Sequence, residues 1–318
     1  MTTVLTLLGA LAALIAVILG LGAVRTRTLT DQAEAAVPRT GALQAVPGGA
    51  VHYVESGPAE APPVLLIHGL GGQLQHYTYA LAPLLARDFR VIAIDRPGSG
   101  WSERDGADKA ALPEQARMIA EFLQARGIER PTVVGHSLGG AVALALALDH
   151  PDRVGQLALL CPLSHPLGTI QPVFRGLDVG APWLRKLLGA TIAAPMAVRM
   201  ADRTLAAVFA PESAPADFVT RGGAALGLRP KGYVGASEDL TAAGPSIGPM
   251  VKRYPDLQAK GGILYGADDA LLSPAAHGEA LAAVTPLTLE TLPGRGHMIP
   301  ITAPEDCAAF IRRMAALR

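Results

Sequence analysis

The chain has 318 residues, half of them apolar but only 4% aromatic, and its formal net charge is zero. That length allows one large α/β domain carrying an insertion, or two ordinary domains. Without a basic excess to displace counterions from phosphates, no nucleic-acid partner is expected, nor electrostatic capture of a charged polymer. The two cysteines, Cys161 and Cys307, lie far apart and outside any CxxC pair, so they are expected as small buried side chains and not as a zinc or redox site.

The N-terminus comes first in chain order. From Val4 to Val24 it reads VLTLLGALAALIAVILGLGAV, without a charged side chain. About 20 such residues cross the hydrocarbon core as a helix, whereas the apolar region of a cleaved signal runs to about 7–15 and follows a basic residue. Residues 1–24 are therefore expected to be a transmembrane anchor, closed by Arg25 and Arg27. By the positive-inside rule these arginines put the rest of the chain in the cytoplasm; the alternative is a cleaved signal peptide and export. Residues 25–42, polar and mixed, with Pro38 and Gly41, read as a tether.

Beyond the tether, short apolar runs alternate with helical patterns. ALQAV and AVHYVES, divided by Pro47-Gly48-Gly49, predict an antiparallel hairpin. Apolar runs follow at residues 64–67, 91–94, 132–134, 156–160, 262–265 and 287–290, with helical stretches at 114–125, 138–148 and 303–317 between or after them. Buried strands interleaved with helices predict a mostly parallel sheet with helices on both faces. One interval, 166–256, has helical periodicity, scattered prolines and no good strand run. A structureless loop of that length is implausible, so it reads as an inserted helical cap between two parts of a core, 43–165 and 257–318.

Two motifs carry chemistry and a third frames them. Gly135-His136-Ser137-Leu138-Gly139 is a GxSxG following a β run and opening a helix, the setting of a nucleophile elbow. Small residues two before and two after the serine remove the clashes of so sharp a turn. The Leu138 amide then lies at a helix N-terminus, where negative charge is favoured. His68-Gly69-Leu70-Gly71-Gly72 follows the VLLI run; its glycines let backbone approach a substrate oxygen, with the Leu70 amide as second donor and His68 as a structural side chain. Asp95-Arg96-Pro97-Gly98-Ser99-Gly100-Trp101-Ser102 shapes a turn beside the site, and neither Asp95 nor Arg96 is assigned chemistry.

HGLGG, DRPGSGWS and GHSLGG, in that order and at these spacings, resemble the α/β-hydrolase superfamily over residues 50–165 and 257–318. The resemblance implies an eight-stranded sheet and a triad in chain order serine, acid, histidine. After the run ending Gly266-Ala267-Asp268-Asp269 it favours Asp269 as the acid, with Asp268 as the alternative, and Gly294-Arg295-Gly296-His297 supplies the histidine. His136 reads as a packing or supporting residue; His52, His76, His150, His165 and His277 have no partner that the sequence identifies. With no HExxH, no P-loop and no dinucleotide fingerprint in a βαβ setting, neither a metal nor an organic cofactor is expected.

The expected chemistry is hydrolysis of a small hydrophobic carboxylic ester through an acyl-enzyme, with the cap setting specificity and Phe174 and Trp183 among its candidate contacts. The alternatives are hydrolysis of a carbon–carbon bond in a ring-cleavage product, which such enzymes perform with the same cap and triad, and a ligand-binding scaffold without turnover. An aspartate nucleophile, as in epoxide hydrolases and haloalkane dehalogenases, is disfavoured by Ser137.

Overall fold

The computed structural model describes residues 1–317. It opens with one helix, α1 (Thr2–Ala36). The expected tether is not extended chain over its first two-thirds, because helix continues from Arg25 to Ala36. That stretch holds no glycine or proline, and Thr26, Leu29 and Ala33, three and four residues apart, form a buried stripe. The helix stops at Val37, which precedes Pro38 and is disfavoured in helical backbone for that reason.

A single sheet follows, made of β1 (Ala42–Val46), β2 (Gly49–Ser56), β3 (Pro63–Ile67), β4 (Arg90–Ile94), β5 (Glu103–Arg104), β6 (Thr132–His136), β7 (Gln156–Leu160), β8 (Lys260–Gly266) and β9 (Thr288–Leu292). Its order is β1-β2-β4-β3-β6-β7-β8-β9, with β5 beside β2. All pairings from β4 through β9 are parallel, and those of β2 are antiparallel. The sheet thus has nine strands where eight are expected: β5 is two residues long, too short to leave a periodic pattern.

The helices of the core are α2 (Leu112–Ala125), α3 (Leu138–Asp149) and, last in the chain, Pro304–Ala315. In α3 every residue from Leu138 to Ala147 is buried, which is why its sequence is apolar on all sides. Val64 to Ile67, Val133, Val134 and Leu157 to Leu160 are buried between the helical layers, so these strands read as unbroken apolar runs.

Between β7 and β8 the chain is helical. Its long elements are α4 (Pro182–Thr191), α5 (Ala193–Phe209) and α6 (Pro230–Val251), and the C-terminal helix is α7. The latter half of α1 packs on α4, α5 and the turn at Ala224–Leu228. A methyl group on Gly22 would stand 2.6 Å from the Thr191 carbonyl oxygen, the Thr26 hydroxyl donates to that same oxygen at 3.1 Å, and Glu34 lies 3.5 Å from Arg229.

Candidate active site

The turns after β3, β6, β8 and β9 open onto one cavity of about 1520 Å³, closed over by the cap. This is the position where parallel sheets bind ligands, beyond the carboxyl ends of the strands. Ser137, His297, Leu70, Leu138 and Phe174 line it, on otherwise mostly aliphatic walls. Trp183 does not. It is 69% exposed, whereas cap positions such as Phe174 and Leu188 reach the cavity.

Ser137 stands between β6 and α3 with φ 55° and ψ −123°. This backbone is costly for a residue with a side chain and survives only where its surroundings impose it. The surroundings are two backbone approaches. A methyl group on Gly135 would lie 2.5 Å from the Gly139 carbonyl oxygen, and one on Gly139 would lie 2.2 Å from that of Ile67. Backbone cannot swing aside, so Gly139→Ala is expected to cost about 1–3 kcal/mol, read as a lower thermal midpoint.

The imidazole of His297 donates from Nδ1 to Asp269 Oδ2 at 2.7 Å. The other carboxylate oxygen accepts the Leu271 and Leu272 amides, both at 2.9 Å. Asp269 is buried and Asp268 exposed, and of the two candidate acids it is Asp269 that meets the histidine. His297 is held by its neighbours. His136 Nε2 donates to its carbonyl oxygen at 3.0 Å, and cap residue Glu212 accepts the Gly296 amide at 2.9 Å. Gly296 must be glycine, since a methyl group there would stand 2.0 Å from the Ala210 carbonyl oxygen.

The Leu70 and Leu138 amides have no backbone or side-chain acceptor among the described residues. The orientation of Leu70 has a traceable cause. The Gly69 carbonyl oxygen accepts His68 Nδ1–H at 2.9 Å and Arg96 Nη2–H at 2.9 Å. A planar trans peptide points its N–H opposite to its C=O, so pinning that oxygen aims the Leu70 N–H away from Arg96. His68 Nε2 accepts the Arg96 amide at 2.9 Å, which fixes the tautomer; burial, then the Arg96 charge, keep this imidazole neutral well below the usual histidine range.

Arg96 is buried, and its guanidinium links three parts of the molecule. Besides Gly69 it donates to the His68 carbonyl oxygen at 2.8 Å, to Gln115 Oε1 at 2.8 Å and to Asp239 Oδ2 on cap helix α6 at 2.7 Å. Arg104 holds the other oxygen of Asp239 at 2.6 Å and Glu238 at 2.8 Å. Asp95 accepts the Leu74 and Trp101 amides at 2.7 and 2.8 Å and His52 Nδ1 at 2.7 Å. A methyl group on Gly100 would overlap that carboxylate at 2.2 Å, which accounts for glycine in DRPGSGWS. Sequence reading finds neither the His52–Asp95 pair nor the Arg96–Asp239–Arg104 cluster, because their partners are 43, 143 and 135 positions apart.

Cys161, Asp269 and His297 offer ligand atoms within 4.8 Å of one another. The arrangement fits a packed base behind the imidazole better than a metal site. Asp269 is committed to two amides and His297, and burial, then the nearby Asp269 charge, push the Cys161 thiol up. Both cysteines are free and buried, as their apolar surroundings suggest.

Two further histidines make folding depend on pH. Burial lowers the pKa of His76 and of His277 to about 4. His277 Nδ1 accepts the His165 amide at 3.2 Å, a bond available only to the neutral ring. A folded-state pKa below the unfolded value of about 6.5 means the unfolded chain takes up protons first. Stability is therefore expected to be complete above pH 6.5 and to fall as pH drops towards 4, by on the order of 3 kcal/mol for buried His76. Urea midpoints measured between pH 7 and 4 check this, and His76→Phe should flatten the slope.

The family model for the alpha/beta hydrolase fold matches residues 62–304. A dihydrolipoyllysine-residue acetyltransferase component of an acetoin cleaving system from Cupriavidus necator is 32% identical over 275 residues, which are 84% of this chain and 67% of that protein. A 2-hydroxy-6-oxononadienedioate/2-hydroxy-6-oxononatrienedioate hydrolase from Comamonas testosteroni is 29% identical over 256 residues, 78% of this chain and 84% of the relative. The crystal structure of a membrane phospholipase A, a bacterial virulence factor, superposes with a TM-score of 0.63 over 99% of both chains at 22% identity. The chain belongs to the α/β-hydrolase fold family and is a hydrolase of that fold.

Proposed function

We propose that the protein hydrolyses carboxylic esters of hydrophobic, lipid-like acids or alcohols through an acyl-enzyme formed on Ser137. The observation that carries this reading is the buried Asp269–His297 pair, set in the wall of the apolar cavity that also holds a strained serine. A serine hydroxyl is a weak nucleophile at its own pKa. His297 accepts the hydroxyl proton at Nε2 as Ser137 attacks the acyl carbon, and Asp269 keeps Nδ1 protonated and stabilises the imidazolium. The Leu70 and Leu138 amides take the negative oxygen. His297 then protonates the leaving alcohol, and a water molecule, activated by His297, attacks the acyl-enzyme to release the acid.

In the same reading α1 anchors the enzyme in a membrane with its hydrolase domain in the cytoplasm. An 18-residue window of α1 has a mean hydropathy of 2.8 and no buried residue; export after signal cleavage is the alternative, which the size of the mature protein distinguishes. Similarity to a membrane phospholipase over 99% of both chains, α1 included, is consistent with an anchor.

A second reading, hydrolysis of a carbon–carbon bond, is favoured by the Comamonas relative. Nitrophenyl esters of graded acyl length, assayed beside a vinylogous diketone, separate the two. Rates rising with acyl length and no turnover of the diketone are expected; the reverse would make the second reading the better one. A fluorophosphonate probe is expected to label the wild type, and failure to label would favour a binding protein without turnover.

A further inference from the structure

We propose that the cap surface at Met196–Met200 lies in the boundary layer of the bilayer that holds α1, and that lipid substrates reach Ser137 through it without crossing water. The proposal rests on reading α1 as a membrane anchor.

The cap cannot float freely below the anchor. Gly22 is packed against the Thr191 backbone and Thr26 is bonded to it, while Leu29 and Ala33 are buried further along the same helix. The depth of the cap therefore follows from the depth of α1. A groove of about 470 Å³ runs between the two, with Ile18, Gly22 and Arg25 on one wall and Met196, Val198 and Arg199 on the other. Ile18 belongs to the uncharged stretch that ends at Val24. From Ile18 to Arg25 the helix rises about 10 Å at 1.5 Å per residue. Side chains that meet Ile18 across the groove therefore stand inside the last turns of the hydrocarbon-length span, a depth typical of apolar side chains in the headgroup–acyl boundary, about 5–10 Å.

The exposed side chains match that environment. Met196 is 49%, Val198 44% and Met200 37% exposed, three large apolar side chains within one turn and a half of α5 whose exposure water would penalise. Arg25 and Arg199, in the same groove, can run their stems along the apolar surface and carry their charges to lipid phosphates. Met196, Val198 and Met200 also line the cavity that holds Ser137 and His297. The mouth of the site and the segment facing the anchor are thus the same stretch of α5, and an acyl chain leaving the bilayer there meets mostly apolar side chains on its way inward.

The full chain, reconstituted in vesicles of phosphatidylcholine and phosphatidylglycerol, tests this. Val198→Cys, carrying an environment-sensitive fluorophore, reports depth, since native Cys161 and Cys307 are buried. Lipid bearing a nitroxide near the top of its acyl chain is expected to quench this label at least twofold and to leave a label at exposed Val284→Cys unchanged. Val198→Asp is expected to lower turnover of a vesicle-borne phospholipid at least tenfold more than turnover of a short water-soluble nitrophenyl ester. An unquenched label, equal losses on both substrates, or quenching only by a second labelled copy of the protein would each overturn the proposal. The depth measurement needs no turnover, so it succeeds or fails apart from the ester chemistry.

Discussion

Ser137→Ala is expected to lower ester turnover by at least about 10⁴-fold and to abolish fluorophosphonate labelling, with KM for a short nitrophenyl ester changed little. His297→Ala should match it, because each is useless without the other: the hydroxyl without its base is barely nucleophilic, and the base without the hydroxyl has nothing to activate. Asp269→Asn probes the pair from behind. Its two oxygens now accept two backbone amides and His297 Nδ1–H. An amide nitrogen placed towards His297 would donate, moving the ring proton to Nε2, where it blocks proton transfer from Ser137. A loss near 10⁴ in kcat is expected, with the thermal midpoint changed far less than kcat. The sharpest contrary result would be labelling that persists in Ser137→Ala; it would remove the serine from the reaction altogether.

Arg96→Ala is the second large effect. Among the described residues it leaves the Asp239 carboxylate with only Arg104 and Gln115 as side-chain partners, and it strips one donor each from the carbonyls of His68 and Gly69, all inside the protein. Breaking a buried pair from one side costs about 3–5 kcal/mol, a large share of a typical 5–15 kcal/mol stability. Activity should fall beyond what instability explains. With the Gly69 carbonyl released from one of its two donors, the Leu70 amide loses its aim, and the loss of one oxyanion donor is worth about 10²–10³ in kcat. Arg96→Lys separates the two effects. It keeps the charge against Asp239 but cannot fork to the His68 and Gly69 carbonyls. Its expected signature is a thermal midpoint above that of Arg96→Ala, joined to a kcat at least tenfold below the wild type with KM nearly unchanged. A Lys variant with wild-type kcat would show that Arg96 supports the fold and does not position the donor.

Much of the site is legible in the sequence because its requirements are local. The elbow needs glycine at 135 and 139, since backbone passes within contact distance of both Cα atoms. A fully buried α3 needs a run without polar residues, and strands covered on both faces need unbroken apolar runs. The loop carrying His297 needs Gly296 where Ala210 presses on it. Each leaves its trace within a few positions of the residue it serves. The anchor-length run in α1 is equally local, being a property of consecutive side chains.

Other features are set by distance in space. Whether Asp268 or Asp269 meets the histidine depends on which carboxylate turns inward, and adjacent residues have the same composition signature. The second half of α1 is polar enough to read as a tether and becomes a docked helix only because α4 and the turn at 224–228 supply a surface for Thr26, Leu29 and Ala33. Trp183 and Phe174 are both aromatic residues of the cap, yet one is exposed and the other lines the cavity. Arg96 and Asp239 carry no local mark of their pairing. The chain by itself determined which segments could be strand, elbow or apolar helix, since these depend on steric and hydrophobic demands between near neighbours. Tertiary structure alone decided which polar groups are buried together, because the cost of burying a charge is met only by a partner that folding brings from elsewhere.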